Sequence, residues 1–198
     1  MSDRNPDKTA TPSASGALLP NGTPAPDFTL NSGPGVTTSL QSLRGKATVL
    51  VFYPADWSPV CGDELALFNQ LGDVWDGLNA QLVGISVDGV WCHKAFAENR
   101  KFKFQLLSDF EPKGAVARAY RAFRDKEGVA ERALYVLDAA GVIRWGYLSP
   151  IKVNPGADGI LAALEALTPE QRGEVGGSPP QGRAAAPAPR SSEGEARA

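Results

Sequence analysis

The 198-residue sequence predicts a single α/β domain, a central mixed β-sheet flanked by helices. Three observations carry that expectation. Residues 48–53 and 81–87 are nearly continuous apolar runs rich in Val, Leu and Ile, as in strands covered on both faces. Residues 59–72, between them, space their apolar side chains as a helix does, which makes strand, helix and strand a parallel βαβ unit. Residues 133–138 and 142–147 flank an Ala-Ala-Gly turn as an antiparallel hairpin, so the sheet is mixed.

Composition limits the function classes. A 42% hydrophobic content over this length builds one core and not two. With a net charge of −2, nothing electrostatic points to nucleic acid or to an anionic membrane surface. No apolar run approaches the roughly 20 residues that span a bilayer. The polar residues 1–15 lack the apolar core of a signal peptide. Two cysteines are no disulfide scaffold; they point to a reducing compartment, and the cytoplasm is expected.

In chain order, residues 1–20 carry Ser, Thr, Pro, Asp and Lys without periodicity and read as a disordered arm. The domain is expected over 21–167. Phe28 and Leu30 alternate as in a strand, Gly33-Pro34-Gly35 turns the chain, 36–38 returns it, and 39–43 is a helical turn ended at Gly45. The strand 48–53 breaks at Pro54. Ser58 is a good N-cap because its hydroxyl can accept from a free helix N–H, and Pro59 suits the first helical position. Cys61 follows in the first turn, with Leu65 and Phe68 on the same stripe. The helix is expected to end near Gly72, with 73–80 as a connection to the strand 81–87. A helix over 91–101 turns Trp91, Ala95 and Phe102 inward. A short strand at 105–108 precedes a helix through Tyr120. The charged segment 121–130, with Gly128, reads as a loop. After the hairpin, Asn154-Pro155-Gly156 leads into an amphipathic helix over 157–167 with Ile160, Leu161 and Leu164 as its apolar positions. Residues 168–198 are Pro, Gly, Ala, Ser, Arg and Glu and read as a disordered tail.

The chemistry centres on Cys61. Thiolate, not thiol, is the nucleophile, and a helix N-terminus favours it. From these residues alone a reactive thiol and a buried packing cysteine both stay open. Pro54, Ser58 and Cys61 spell P-x-x-x-[ST]-x-x-C in a strand–turn–helix context, and there the sequence resembles the peroxiredoxins. The resemblance extends to Pro24-Ala-Pro-Asp-Phe28, Ile85-Ser-Val-Asp88, Leu106-Leu-Ser-Asp109 and Glu131-Arg-Ala133. It is nearest the E-type alkyl hydroperoxide reductases, with the Q-type (bacterioferritin-comigratory) group next. Ser58 stands where most of that family has Thr, which keeps the hydroxyl. The order of elements is thioredoxin-like. A thioredoxin-type dithiol is disfavoured, because Ser58-Pro-Val-Cys61 fills only the second cysteine of C-x-x-C.

The resemblance implies a thiol-specific peroxidase that reduces hydrogen peroxide and organic hydroperoxides. Cys61 would be the peroxidatic cysteine, oxidised to sulfenic acid. Ser58 would hold the peroxide through its hydroxyl, Pro54 would shield the thiolate, and Arg132 would keep Cys61 ionised and stabilise the transition state. Without the family, Arg132 reads as a solvated charge at a strand end. Glu64, in the same helical turn as Cys61, orders the site although its charge opposes thiolate formation. Cys92, near the start of the next helix, would be the resolving cysteine, as in some Q-type and thiol-peroxidase relatives; E-type relatives often lack one, and a buried spectator beside Trp91 is the alternative. A thioredoxin-like or other small dithiol would reduce the disulfide, and a homodimer is compatible. No cofactor or metal is implied: Cys61, Cys92 and His93 are too few for usual zinc spacings. His93, the single histidine, reads as a surface or packing residue. The alternatives are a peroxide-sensing or chaperone-like module on the same fold, and a non-catalytic interaction domain.

Overall fold

The computed structural model describes residues 17–174. Most of the expected arm (1–20) and tail (168–198) therefore lies outside the described residues.

Seven strands form one mixed sheet in the order Val36–Ser39, Thr29–Gly33, Gln105–Ser108, Ala80–Ser86, Ala47–Phe52, Arg132–Leu137 and Ile143–Ser149. The chain opens with the antiparallel pair β1 (Thr29–Gly33) and β2 (Val36–Ser39), then α1 (Leu40–Leu43), whose N-cap Ser39 makes a reciprocal capping box with Ser42. Strand β3 (Ala47–Phe52) leads to α2 (Pro59–Gln70), α3 (Gly72–Gly77) and β4 (Ala80–Ser86); β3 and β4 pair in parallel. Helix α4 (Val90–Arg100) then crosses to β5 (Gln105–Ser108), parallel to β4. Helix α5 (Ala115–Ala119) and the two-stranded ribbon of β6 (Phe123–Arg124) and β7 (Val129–Ala130) precede the hairpin β8 (Arg132–Leu137) and β9 (Ile143–Ser149), and α6 (Asp158–Glu165) follows.

Strand β3 lies inside the sheet between β4 and β8, and each of its residues is buried. Its pleat divides the core in two. Val49, Val51 and the following Tyr53 face a cluster with Cys61, Leu65 and Phe68 of α2, Phe96 of α4 and Ile160 and Leu164 of α6. Leu50 and Phe52 face Leu40, Ala117, Tyr120 and Tyr135 on the opposite side. Helices on both faces explain why the strand sequence is continuously apolar.

Several expectations are corrected. Helix α2 stops at Gln70, and the segment taken as a connection contains α3, anchored by Trp75, whose indole N–H donates to the Phe68 carbonyl at 2.8 Å. The expected loop at 121–130 contains the β6–β7 ribbon. Helix α4 starts at Val90 and turns His93 and Phe96 inward, while Trp91 is 68% exposed. His93 rotates inward because a buried carboxylate awaits it there, as described below. Residues beyond 167 also touch the domain: the Ala139 N–H donates to the Gln171 carbonyl at 2.7 Å and the Asn79 side chain to the Arg172 carbonyl at 2.7 Å. At the other end, the Leu19 N–H donates to the Tyr135 hydroxyl at 3.0 Å.

Candidate active site

Two remote segments meet at the C-terminal end of β3. Beyond Phe52 the chain runs through Tyr53 and Pro54 to Ser58, the N-cap residue of α2. Strand β8 lies antiparallel to β3 with Ala133 opposite Phe52, so Arg132 opens β8 at that same end. Its guanidinium reaches over the first turn of α2. Nη2 donates to Cys61 Sγ at 3.4 Å, Nη1 to Glu64 Oε2, and Nε and Nη2 both to the Ile151 carbonyl at 3.1 Å. Cys61 and Glu64 have no exposed surface and Arg132 only 1%.

A cation this deeply buried needs fixed acceptors, and these four contacts hold the guanidinium in one orientation. Glu64 is its charged partner. Burial pushes the Glu64 carboxyl up to about 7, against the opposing pull of Arg132. Its Oε1 has no hydrogen-bond partner among the described residues. Burial and the attraction of Arg132 thus act on this carboxyl in opposite directions. Glu64 stands i+3 from Cys61, which is the one signal in the sequence that both share a helix face.

The turn itself departs from expectation in one respect. Ser58 occupies the N-cap position, yet its side chain makes no capping bond; its carbonyl accepts from Gly62 N–H at 2.8 Å instead. The Ser58 and Pro54 side chains are half-buried on this turn. Trp57, 48% exposed, adopts a left-handed backbone at φ 62°, a conformation costly for a bulky residue and one that clusters at functional sites.

Cys92 lies in the first turn of α4, and both cysteines are free thiols. Beside it is a buried polar group that sequence reasoning missed. Asp56 accepts from the Tyr53 hydroxyl at 2.8 Å and from His93 Nδ1 at 2.9 Å, and His93 Nε2 lies 3.3 Å from the Leu107 carbonyl. Asp56 looks like an ordinary turn residue in sequence, and only tertiary pairing reveals its partners. Among the described residues, no cluster of three or more His, Cys, Asp or Glu could hold a metal, and no helix is long and apolar enough to cross a membrane.

The model of the AhpC/TSA family matches residues 21–146. Among curated relatives, alkyl hydroperoxide reductase E of Mycobacterium tuberculosis is 36% identical over 129 residues, covering 65% of this chain and 84% of that protein. The mitochondrial thioredoxin-dependent peroxide reductase of Drosophila melanogaster is 32% identical over 166 residues, covering 77% of this chain and 69% of that protein. Among solved structures, peroxidoxin BcpB of Mycobacterium tuberculosis superposes with a TM-score of 0.69 at 32% identity, covering 75% of this chain and 97% of that one.

Proposed function

The chain belongs to the AhpC/TSA family and is a thioredoxin-fold thiol peroxidase of the peroxiredoxin kind, and from that premise we propose that Cys61 is its peroxidatic cysteine. The carrying observation is the Arg132 guanidinium 3.4 Å from Cys61 Sγ at the start of α2. That places a fixed donor cation against the sulfur from which the reaction starts. The sulfur lone pair attacks one peroxide oxygen, the O–O bond breaks, and negative charge gathers on the departing oxygen. Arg132, preorganised by Glu64 and the Ile151 carbonyl, stabilises that charge. Ser58, with a hydroxyl not engaged in capping, orients the peroxide, and Pro54 shields the turn from water. Protonation of the leaving group gives water or alcohol, and Cys61 is left as sulfenic acid.

Cys92 then attacks the sulfenic sulfur, forming a disulfide and releasing water. A thioredoxin-like or other small dithiol returns both cysteines to thiols by exchange, a reading supported by the name of the Drosophila relative. The substrates are hydrogen peroxide and organic hydroperoxides. Two free thiols support a cytoplasmic, reducing setting. We further propose that the chain forms a homodimer.

The test is one equivalent of peroxide followed by mass measurement and non-reducing peptide mapping of the wild type and Cys61→Ser. The expected products are a Cys61–Cys92 linked peptide in the wild type and no peroxide consumption in the variant. Near-normal consumption by Cys61→Ser refutes the assignment of Cys61; Cys61 found only as sulfenic or sulfinic acid, with Cys92 free, refutes the assignment of Cys92.

A further inference from the structure

The turn between β3 and α2 holds a bulky residue in a conformation that its side chain disfavours. Trp57, at φ 62°, persists in the left-handed region only where its surroundings fix the chain on both sides of it. On the C-terminal side α2 does this, since the Ser58 carbonyl accepts from the Gly62 N–H at 2.8 Å. On the N-terminal side the fixing point is Asp56, 7% exposed. One of its carboxylate oxygens accepts from the Tyr53 hydroxyl at 2.8 Å and the other from His93 Nδ1 at 2.9 Å. Its backbone N–H donates to Asp88 Oδ2 at 2.8 Å. Asp88 is fixed in turn: the Ser86 hydroxyl donates to the same Oδ2 at 2.9 Å, and the Ser108 hydroxyl to the Asp88 carbonyl at 2.6 Å. The Trp57 ring itself packs on Phe96 of α4, with 5.0 Å between centroids.

The segment held in this way runs from Tyr53 to Ser58 and so carries Pro54 and Ser58 to the sulfur. Ser58 makes no capping bond, so α2 does not steer its hydroxyl, and the backbone of the turn decides where it points.

We propose that His93 and Asp56 are positioning residues for the peroxide step: the bond between them locks the turn at Trp57 and so aims the Ser58 hydroxyl at the peroxide beside Cys61. This rests on the reading of Ser58 as the residue that orients the peroxide.

The two ring nitrogens of His93 have different work. Nε2 lies 3.3 Å from the carbonyl of Leu107, in β5, and ties the ring to the sheet. Nδ1 ties the ring to Asp56, and through it the sheet to the turn. Tyr53 supports the same carboxylate from the other side. Its own backbone N–H donates to the Ile85 carbonyl at 3.1 Å, and burial and Asp56 together keep its hydroxyl protonated, so that it remains a donor. Asp56 is thus restrained from the end of β3, from α4 and from the loop after β4. Loss of either donor leaves a buried carboxylate short of a partner, and the turn then gains a reason to move. Movement matters because a group that must meet the peroxide tolerates little error: a misplacement of about 1 Å can cost on the order of 10²-fold in rate. The network supplies neither charge nor proton to the reaction and acts only through Ser58.

The test is the second-order rate constant for oxidation of Cys61 by hydrogen peroxide, measured in the full chain. His93→Asn keeps an amide N–H where the ring carries Nδ1, and His93→Gln keeps one where it carries Nε2, so the two variants separate the two bonds. His93→Gln is expected to slow oxidation on the order of tenfold, and His93→Asn to stay within about threefold of the wild type. In a Ser58→Ala background, His93→Gln is expected to change the rate by less than about twofold, because the group it positions is gone. His93→Asn no faster than His93→Gln, or penalties that multiply in the double variant, overturn the proposal. If His93→Gln does not fold, Tyr53→Phe, which removes only the hydroxyl donor, takes its place in the same cycle, and an unslowed Tyr53→Phe counts against the proposal. A wild-type rate in Ser58→Ala alone overturns the reading of Ser58 and this proposal with it. A slow Ser58→Ala beside an unslowed His93→Gln overturns this proposal alone.

Discussion

Arg132 is the largest fully buried side chain among the described residues, and its neighbours explain how a charge is tolerated there. Its role can be separated from that of Glu64. Arg132→Ala is expected to slow oxidation of Cys61 by on the order of 10²-fold or more, the scale of one preorganised donor. Stopped-flow tryptophan fluorescence with Trp57 as reporter measures this, and an unchanged rate would reduce Arg132 to a packing residue. Glu64→Gln separates stability from chemistry. The native carboxyl, raised from 4.5 to about 7, binds its proton more tightly than the unfolded chain does. The wild type is therefore expected to lose stability as pH rises between those values, by up to about 3 kcal/mol. Urea midpoints at pH 5 and pH 8 should show this slope in the wild type and not in Glu64→Gln. Parallel behaviour would mean that Arg132 fully compensates the buried charge.

At the scale of elements, the segment from α5 through the β6–β7 ribbon delivers Arg132 to the site. Gly114 is essential to its start. It adopts φ 67°, and a Cβ there would lie 2.0 Å from the Phe123 ring, well inside van der Waals contact. Gly114→Ala is expected to destabilise the fold by about 2–4 kcal/mol, combining left-handed strain with overpacking against an aromatic ring. Gly62 in α2 is the contrast. A Cβ there would first meet the Arg100 guanidinium, at 2.9 Å, the far end of an exposed side chain. Gly62→Ala is therefore expected to be neutral or to stabilise by up to about 1 kcal/mol through helix propensity. Chemical denaturation of the two variants side by side checks both signs, and equal losses would refute this account of the contacts.

Over the whole molecule, the chain beyond α6 returns to clasp the end of the sheet away from Cys61. Gly173 passes so close to Gly45 that a Cβ would overlap the Gly45 carbonyl at 2.0 Å. Arg172 Nη1 also donates to the Leu167 carbonyl at 2.8 Å, closing the end of α6. Truncation after Leu167 removes the Gln171 and Arg172 bonds to Ala139 and Asn79, each worth about 1 kcal/mol. The melting temperature is expected to fall by roughly 4–8 °C. Peroxide reactivity should persist at 25 °C, since no group of the site is lost. An unchanged melting curve would show that the clasp contributes nothing.

What the sequence determined by itself was local. The continuous apolar run of β3, the break at Pro54, the Ser58-Pro59 helix start and the placement of Cys61 all follow from short-range preferences of strand, turn and helix N-terminus; they suffice for the fold class, while the proposed role of Cys61 needed the family resemblance as well. Arg132 could be singled out only through the family resemblance, because a single arginine before a strand has no local signature. Tertiary structure alone decided the rest. The antiparallel register of β3 and β8 brings Arg132 over α2, where Glu64, expected only to order the site, is its ion-pair partner. The same folding turns His93 inward onto Asp56 and exposes Trp91, against the expected helix face. Helical periodicity gives a stripe but not its rotation, and here a buried carboxylate supplied by a distant turn sets that rotation.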